Sequence, residues 1–191
     1  MKSQWNILWI LPTAVLLLSQ GMPLPAPEIY VCRHASIHFF SSAPIEDIEA
    51  RTDQAVSAIN SANNAVYFKV PIRSFEFDKS LMQEHFNENF MESDQYPYAT
   101  FKGTLSGSID WTRAGHYRVT AKGTLSIHGV SKQYVQNGQL TIAADTVRLA
   151  ARFRVRLADH HIAIPRILFN NIAEEVAVNV HAIYLHKKME Q

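Results

Sequence analysis

Residues 117–127 read Tyr-Arg-Val-Thr-Ala-Lys-Gly-Thr-Leu-Ser-Ile. The odd positions, Tyr117, Val119, Ala121, Gly123, Leu125 and Ile127, are apolar or small, and the even positions Arg118, Thr120, Lys122, Thr124 and Ser126 are polar. A period of two held over that length is a β-strand with one dry and one wet face. Residues 147–157 repeat it, with Val147, Leu149, Ala151, Phe153, Val155 and Leu157 opposite Arg148, Arg152, Arg154 and Arg156. Two long, half-buried strands need a shared interior.

Shorter copies of the pattern surround these two. Ile37 and Phe39 alternate near the start, as do Ala99, Phe101, Gly103 and Leu105, then Ile109 and Trp111, then Leu140 and Ile142. Val176, Val178, Val180, Ala182 and Tyr184 form the last strand. Gly, Asn, Asp and Ser separate the runs at hairpin spacing, which makes neighbours antiparallel. Between residues 66 and 78 the parity changes: Val66, Phe68, Val70 and Ile72 are even, Phe75 and Phe77 odd. A bulge or kink near Arg73 and Ser74, just after Pro71, would return both sets to one face. Ser80-Leu81-Met82-Gln83 has the form of a capping box, and Met82, Phe86 and Phe90 follow at helical spacing, so a short amphipathic helix is expected over one end or side of the sheet. A second short helix is expected from Pro165, carrying Ile167 and Leu168.

Seven or more antiparallel strands leave a sandwich or a closed barrel, and strands of ten residues or longer favour the barrel. No linker or repeat divides the 191 residues, so one domain is expected. Residues 1–21 stand apart: Lys2 precedes an apolar run from Ile7 to Leu18, and Ser19 and Gly21 suit cleavage before Met22. That run is shorter than the ~20 residues of a membrane-spanning helix and matches an export signal. Residues 1–21 are therefore read as a signal peptide and 22–191 as a periplasmic or secreted barrel domain. The single cysteine, Cys32, excludes a disulfide framework and is expected to be buried and inert.

A net charge of +1 gives no ground for a nucleic-acid partner. Of the nine histidines, His38, His128 and His181 fall on separate strands, His85 on the helix, and His160 and His161 point oppositely if extended; with no His-Glu-x-x-His and no mixed cluster with carboxylates, no metal site and no catalytic group is assigned. Ser126 and His128 share a strand face but lack an acidic orienter nearby in sequence. The arginine ladder reads as a solvated face with acidic cross-strand neighbours. The remaining feature is apolar: Met82, Phe86, Phe90 and Met91 on the helix, with Phe68, Phe75, Phe77, Phe101 and Phe153 on strands, either fill a core or line a pocket.

Several segments carry a family resemblance. They are Ser74-Phe75-Glu76-Phe77, Met82 through Asn89, Glu92-Ser93-Asp94-Gln95-Tyr96-Pro97, Ala99-Thr100-Phe101, Gly123 through Lys132 (Gly-Thr-Leu-Ser-Ile-His-Gly-Val-Ser-Lys), and Phe153 through Asp159. In this order they resemble the YceI-like lipid-binding family, from about Ile29 to Tyr184. The resemblance implies an all-β, extended lipocalin-like antiparallel barrel of about eight strands with one or two short helices. It implies export in bacteria and a polyisoprenoid, isoprenoid quinone or similar long-chain amphiphile held inside, with no cofactor beyond that lipid. By position, the apolar lining falls to Phe75, Phe77, Leu81, Met82, Phe86, Phe101, Leu125, Phe153, Val155, Val178 and Val180. Residues 43–64 carry Glu46, Asp47 and Glu49 and lack the glycines of relatives, and residues 152–156 are more basic than the pattern, leaving a headgroup or transient membrane-surface contact open at Arg152 and Arg154. Two other readings stand beside this one. The first is a filled barrel with a stress or interaction role, and the second is an enzyme acting on a lipid or amide through His85 or His128. The oligomeric state stays open, a dimer included.

Overall fold

Strict alternation along a strand produces a sheet with one greasy face, and such a sheet is stable when it wraps that face inward. The computed structural model describes residues 28–42, 47–163 and 174–186. Within them run β1 (Ile29–Ser41), β2 (Ile48–Asn60), β3 (Ala65–Pro71), β4 (Glu76–Phe77), β5 (Tyr98–Ser106), β6 (Gly115–Ile127), β7 (Val130–Ile142), β8 (Thr146–Arg156) and β9 (Glu175–His186). The order across the sheet is β1-β9-β8-β7-β6-β5-β3-β2, and β1 pairs again with β2, so eight antiparallel strands close into a barrel. The two-residue β4 is a ninth strand paired to β2 through Ala50 and Arg51. The expected signal segment and the expected helix from Pro165 lie outside the described residues.

Closure bends β1 and β2 sharply. Their register slips between Cys32 and Ala35, where β1 has one extra residue, and again between Ala35 and Ile37, where the extra residue is on β2. The extra residues leave consecutive exposed pairs, Arg33 with His34 and Asp53 with Gln54, and the buried positions change parity across each. This is the signature of β-bulges, which add twist where a sheet turns a corner. The parity change expected near Arg73 is real as well: a 3-10 turn over Ile72–Ser74 follows Pro71, and Phe75 ends 6% exposed on the same interior as Val70.

One end of the barrel is solid. Tyr184, Ile59 and Leu140 are fully buried there with Cys32 and Val147, and Trp111 stacks on Tyr30 at 5.4 Å. The Tyr184 hydroxyl donates to Ser57 Oγ at 2.7 Å, and Ser57 donates to the Tyr67 carbonyl at 2.8 Å, so the buried polar atoms are matched. Burial pushes the Tyr184 phenol up from its ordinary pKa, which keeps it a donor. The other end is covered by α1 (Ser80–His85) and a π-helical turn over Phe86–Phe90. The capping-box expectation does not hold: Lys79 occupies the cap position, and no side chain bonds the first turn. Helical spacing does put Met82, Phe86 and Phe90 on the barrel side, because the wider turn, closed by Met91 N–H on the Phe86 carbonyl at 2.9 Å, keeps the last two in step.

Midway along the wall, Gly103 on β5 faces Gly123 on β6. A Cβ on Gly123 would stand 2.3 Å from the Lys102 carbonyl oxygen and 2.4 Å from Gly103 Cα, both backbone atoms that cannot swing aside. Gly123→Val is therefore expected to destabilise the barrel by about 3 kcal/mol or more, at the upper end of overpacking effects. Urea unfolding checks this, and a loss below about 1 kcal/mol would show that β5 and β6 can separate freely.

Candidate functional site: a hollow barrel end

The interior between the solid end and α1 is not filled. A cavity of about 600 Å³ runs from α1 down to Leu105, Val119 and Leu149. That volume lies within the about 300–1,000 Å³ range of small-molecule sites. Its cause is the size of the inward side chains. Where the pattern demands an interior residue, β6 to β8 supply only Ala121, Gly138 and Ala151 to this part of the cavity wall.

All the positions read as lining from the sequence border this one space. Phe101, Leu125, Phe153, Val155, Val178 and Val180 project from the walls, and Phe75, Phe77, Leu81, Met82 and Phe86 gather at the covered end. Their contribution is unequal. Leu81 is 60% exposed and touches only the rim, whereas Phe75, Leu125, Val155 and Val180 are buried. The covered end is held by Phe39, Phe75, Phe77 and Phe86, whose ring centroids lie 5.0–5.8 Å apart. Aromatic pairs at such distances contribute about 0.5–1.5 kcal/mol beyond their burial. In the sequence Phe39 reads as one more alternate residue of β1. Its role comes from the bulges that carry the strand across to the helix.

Arg152 and Arg154 are exposed on the outer face of β8, opposite Phe153 and Val155. Arg154 and Arg156 share Glu175 on β9, at 3.5 and 3.7 Å, as expected of an acidic cross-strand neighbour. His85 lies at the covered end among the lining residues. His128 is elsewhere: it and Gly129 occupy the left-handed region at the two-residue β6–β7 turn, as a type I′ hairpin requires. The His128 ring bonds Glu92 at 2.7 Å and packs edge-on against Tyr96. Among the described residues no group of three or more His, Cys, Asp or Glu could hold a metal ion.

No local sequence motif points to the polar cluster beside the cavity. His160, fully buried in the 3-10 turn Leu157–His160, places Nδ1 3.1 Å from the Val130 carbonyl and Nε2 3.2 Å from the Tyr134 hydroxyl. A carbonyl can only accept, so Nδ1 carries the proton and Nε2 accepts from Tyr134. The partners lie 26 and 30 residues away in sequence, which no local motif reveals.

A hollow, closed antiparallel barrel with an apolar lining and a helical cover defines a lipocalin-like binding protein. Residues 31–184 match the model of the YceI-like domain, and the chain belongs to that family. Among solved structures, the fold is similar to a polyisoprenoid-binding domain from Saccharophagus degradans, with a TM-score of 0.71 and 16% identity over 83% of this chain and 98% of that one. It is also similar to BcnA of Burkholderia cenocepacia (TM-score 0.65, 14% identity, 78% and 95% covered) and to a YceI protein of Campylobacter jejuni (0.56, 19%, 70% and 81%). No match is found among curated protein sequences.

His160 makes stability depend on pH. Burial, the largest influence, lowers its pKa from the ordinary value of about 6.5 and Lys132 adds to this, while the backbone of Val130 and Ile127 and the Asp159 charge oppose it. The unfolded chain takes up the proton first as pH falls. The stability His160 contributes is thus complete above about pH 6.5 and is lost as pH drops from there through the lower folded-state pKa. Urea midpoints measured between about pH 7.5 and 5 should fall more steeply in the wild type than in His160→Gln. Parallel slopes would show that the buried ring protonates freely.

Proposed function

We propose that the protein is an exported carrier of a long-chain apolar amphiphile of the isoprenoid type, held with its chain in the hollow barrel end. The observation that carries this reading is the cavity of about 600 Å³ with an almost wholly apolar wall. The S. degradans relative, described as polyisoprenoid-binding, supports the class of cargo, and the apolar run at residues 7–18 supports export. The void argues against the filled-barrel reading, since cores normally pack to crystal-like density.

The energetics fit. At ~30 Å³ per water-sized unit, the cavity has room for about twenty chain carbons. Burying about twenty methylenes contributes ~16 kcal/mol at ~0.8 each. Micromolar binding, about 8 kcal/mol, therefore survives an association cost of up to about 8 kcal/mol, inside the ~4–15 kcal/mol range of such costs. Discrimination between chains one methylene apart would be weak, at about 1–3 kcal/mol.

Native mass spectrometry of protein purified gently from its own compartment should show a lipid adduct on a chain lacking residues 1–21. A clean ligand-free mass, with no uptake of isoprenoid or fatty chains, would overturn the proposal. A filling substitution adds a second check. Ala121→Phe places a ring in the void, so it should leave the urea midpoint unchanged or raised while weakening chain binding about tenfold or more. Undiminished binding would move the site elsewhere.

A further inference from the structure

β7 and β8 are thirteen and eleven residues long, yet they share only five register pairs, from Gly138↔Ala151 to Ile142↔Val147. Past Gly138, β7 stays paired to β6 as far as Val130, and past Ala151, β8 stays paired to β9 as far as Arg156. The two strands therefore part and leave a seam in the barrel wall. The seam is closed again at the rim, where His160 bonds Val130 and Tyr134. Between these limits it is spanned by Tyr134 edge-on to Phe153, with ring centroids 6.5 Å apart.

The seam has unusual chemistry on both sides. Gln136 faces the interior and lines the apolar cavity, while its neighbour Val135 is 58% exposed outside, an inversion of the usual placement. The Gln136 side chain is half-buried and borders the apolar cavity on one side and the outer surface on the other. Outside lies an open, polar surface depression of about 450 Å³, whose wall includes Tyr134 and Gln136 again together with the exposed Lys132, Arg154 and Arg156. Two side chains thus form a common partition between a greasy chamber and a cationic one. Asp159 and Glu175 also line the outer chamber, so three cations face two carboxylates. The contacts of Glu175 with its two arginines are long and exposed, so these ion pairs are weak and leave the guanidinium groups available.

We propose that this seam is the headgroup subsite: the chain lies in the hollow end, and an anionic head of the phosphate-ester class reaches out past Gln136 to Lys132, Arg154 and Arg156. A phosphate ester has the charge to use the cationic surplus, and the planar guanidinium forks match its oxygens. Arg152 does not line the outer chamber, so the contact falls to Arg154 with Lys132 and Arg156. The proposal rests on the lipid-carrier reading and adds to it where the head sits and what charge it bears.

Calorimetric titration with a twenty-carbon isoprenyl alcohol and the monophosphate of the same alcohol tests it. The wild type should bind the phosphate about tenfold more tightly than the alcohol at low salt, and the preference should vanish at about 0.5 M salt. The combined variant Lys132→Gln, Arg154→Gln and Arg156→Gln should bind both probes equally, with alcohol affinity unchanged. Arg148→Gln, on the same outer face but outside the seam, should retain the preference. Equal affinities in the wild type, or a preference that survives the triple substitution or high salt, would overturn the headgroup subsite and leave the carrier standing. Failure of both probes to bind would overturn the carrier reading, and the subsite with it.

Discussion

The pairing of β1 with β9 on one edge and β2 on the other is the constraint from which the rest of the molecule follows. Without it the sheet would present two long edges and one bare apolar face, the arrangement most prone to pairing with other chains. With it, every inward side chain shares one interior, and the sizes of those side chains decide whether that interior is core or container. Closure also requires curvature, supplied by the compensating bulges on β1 and β2 near Ala35 and Ala55. Because one extra residue lies on each strand, the register recovers beyond them and both strands continue to the cavity end, where Ile37, Phe39 and Ile48 line the space and Phe39 stacks on Phe86 of the cover.

The same bulges set the limit of what the sequence discloses. β6 and β8 are legible because their alternation is unbroken for their full length. In β2 the buried residues are Ala50 and Thr52, then Ala55, Ser57 and Ile59, so the parity flips midway and the residues are small. A period-two reading has nothing there to lock onto. The kink after Pro71 was legible because large rings on both sides mark the two parities. The lining set was legible for a similar reason: Phe, Leu and Val at alternate positions face inward whether or not the interior is full. Emptiness was harder to see, since it is a property of what is missing. Its trace is Ala121, Gly138 and Ala151 at inward positions, which read as indifferent filler until closure places them in the cavity wall.

Polar structure divides between the ends according to what each end can satisfy. At the solid end, the Tyr184 hydroxyl bonds Ser57 and Ser57 bonds the Tyr67 carbonyl. At the hollow end the backbone turns do the pairing. The His128–Gly129 turn sets its imidazole on Glu92, and the 3-10 turn brings His160 to Tyr134. Each of these contacts joins a hairpin end to a loop distant in sequence, so they tie the rim together without occupying the chamber. The rim is therefore shaped by hydrogen bonds and the chamber by the absence of side-chain volume, and the two can vary independently.

The unequal edges of β8 follow from the same geometry. Eleven register pairs join it to β9 and five to β7, so one edge is zipped along its length and the other only at the solid end. Parting two strands whose ladder is complete would expose many backbone groups at once. Where the ladder has already ended at Gly138 and Ala151, the local barrier to separation is the Tyr134–Phe153 ring contact and the His160 bonds at the rim. Local opening draws on the least-paired parts of a fold. An opening confined to this seam would leave the packed end, the bulges and the β1 closure intact.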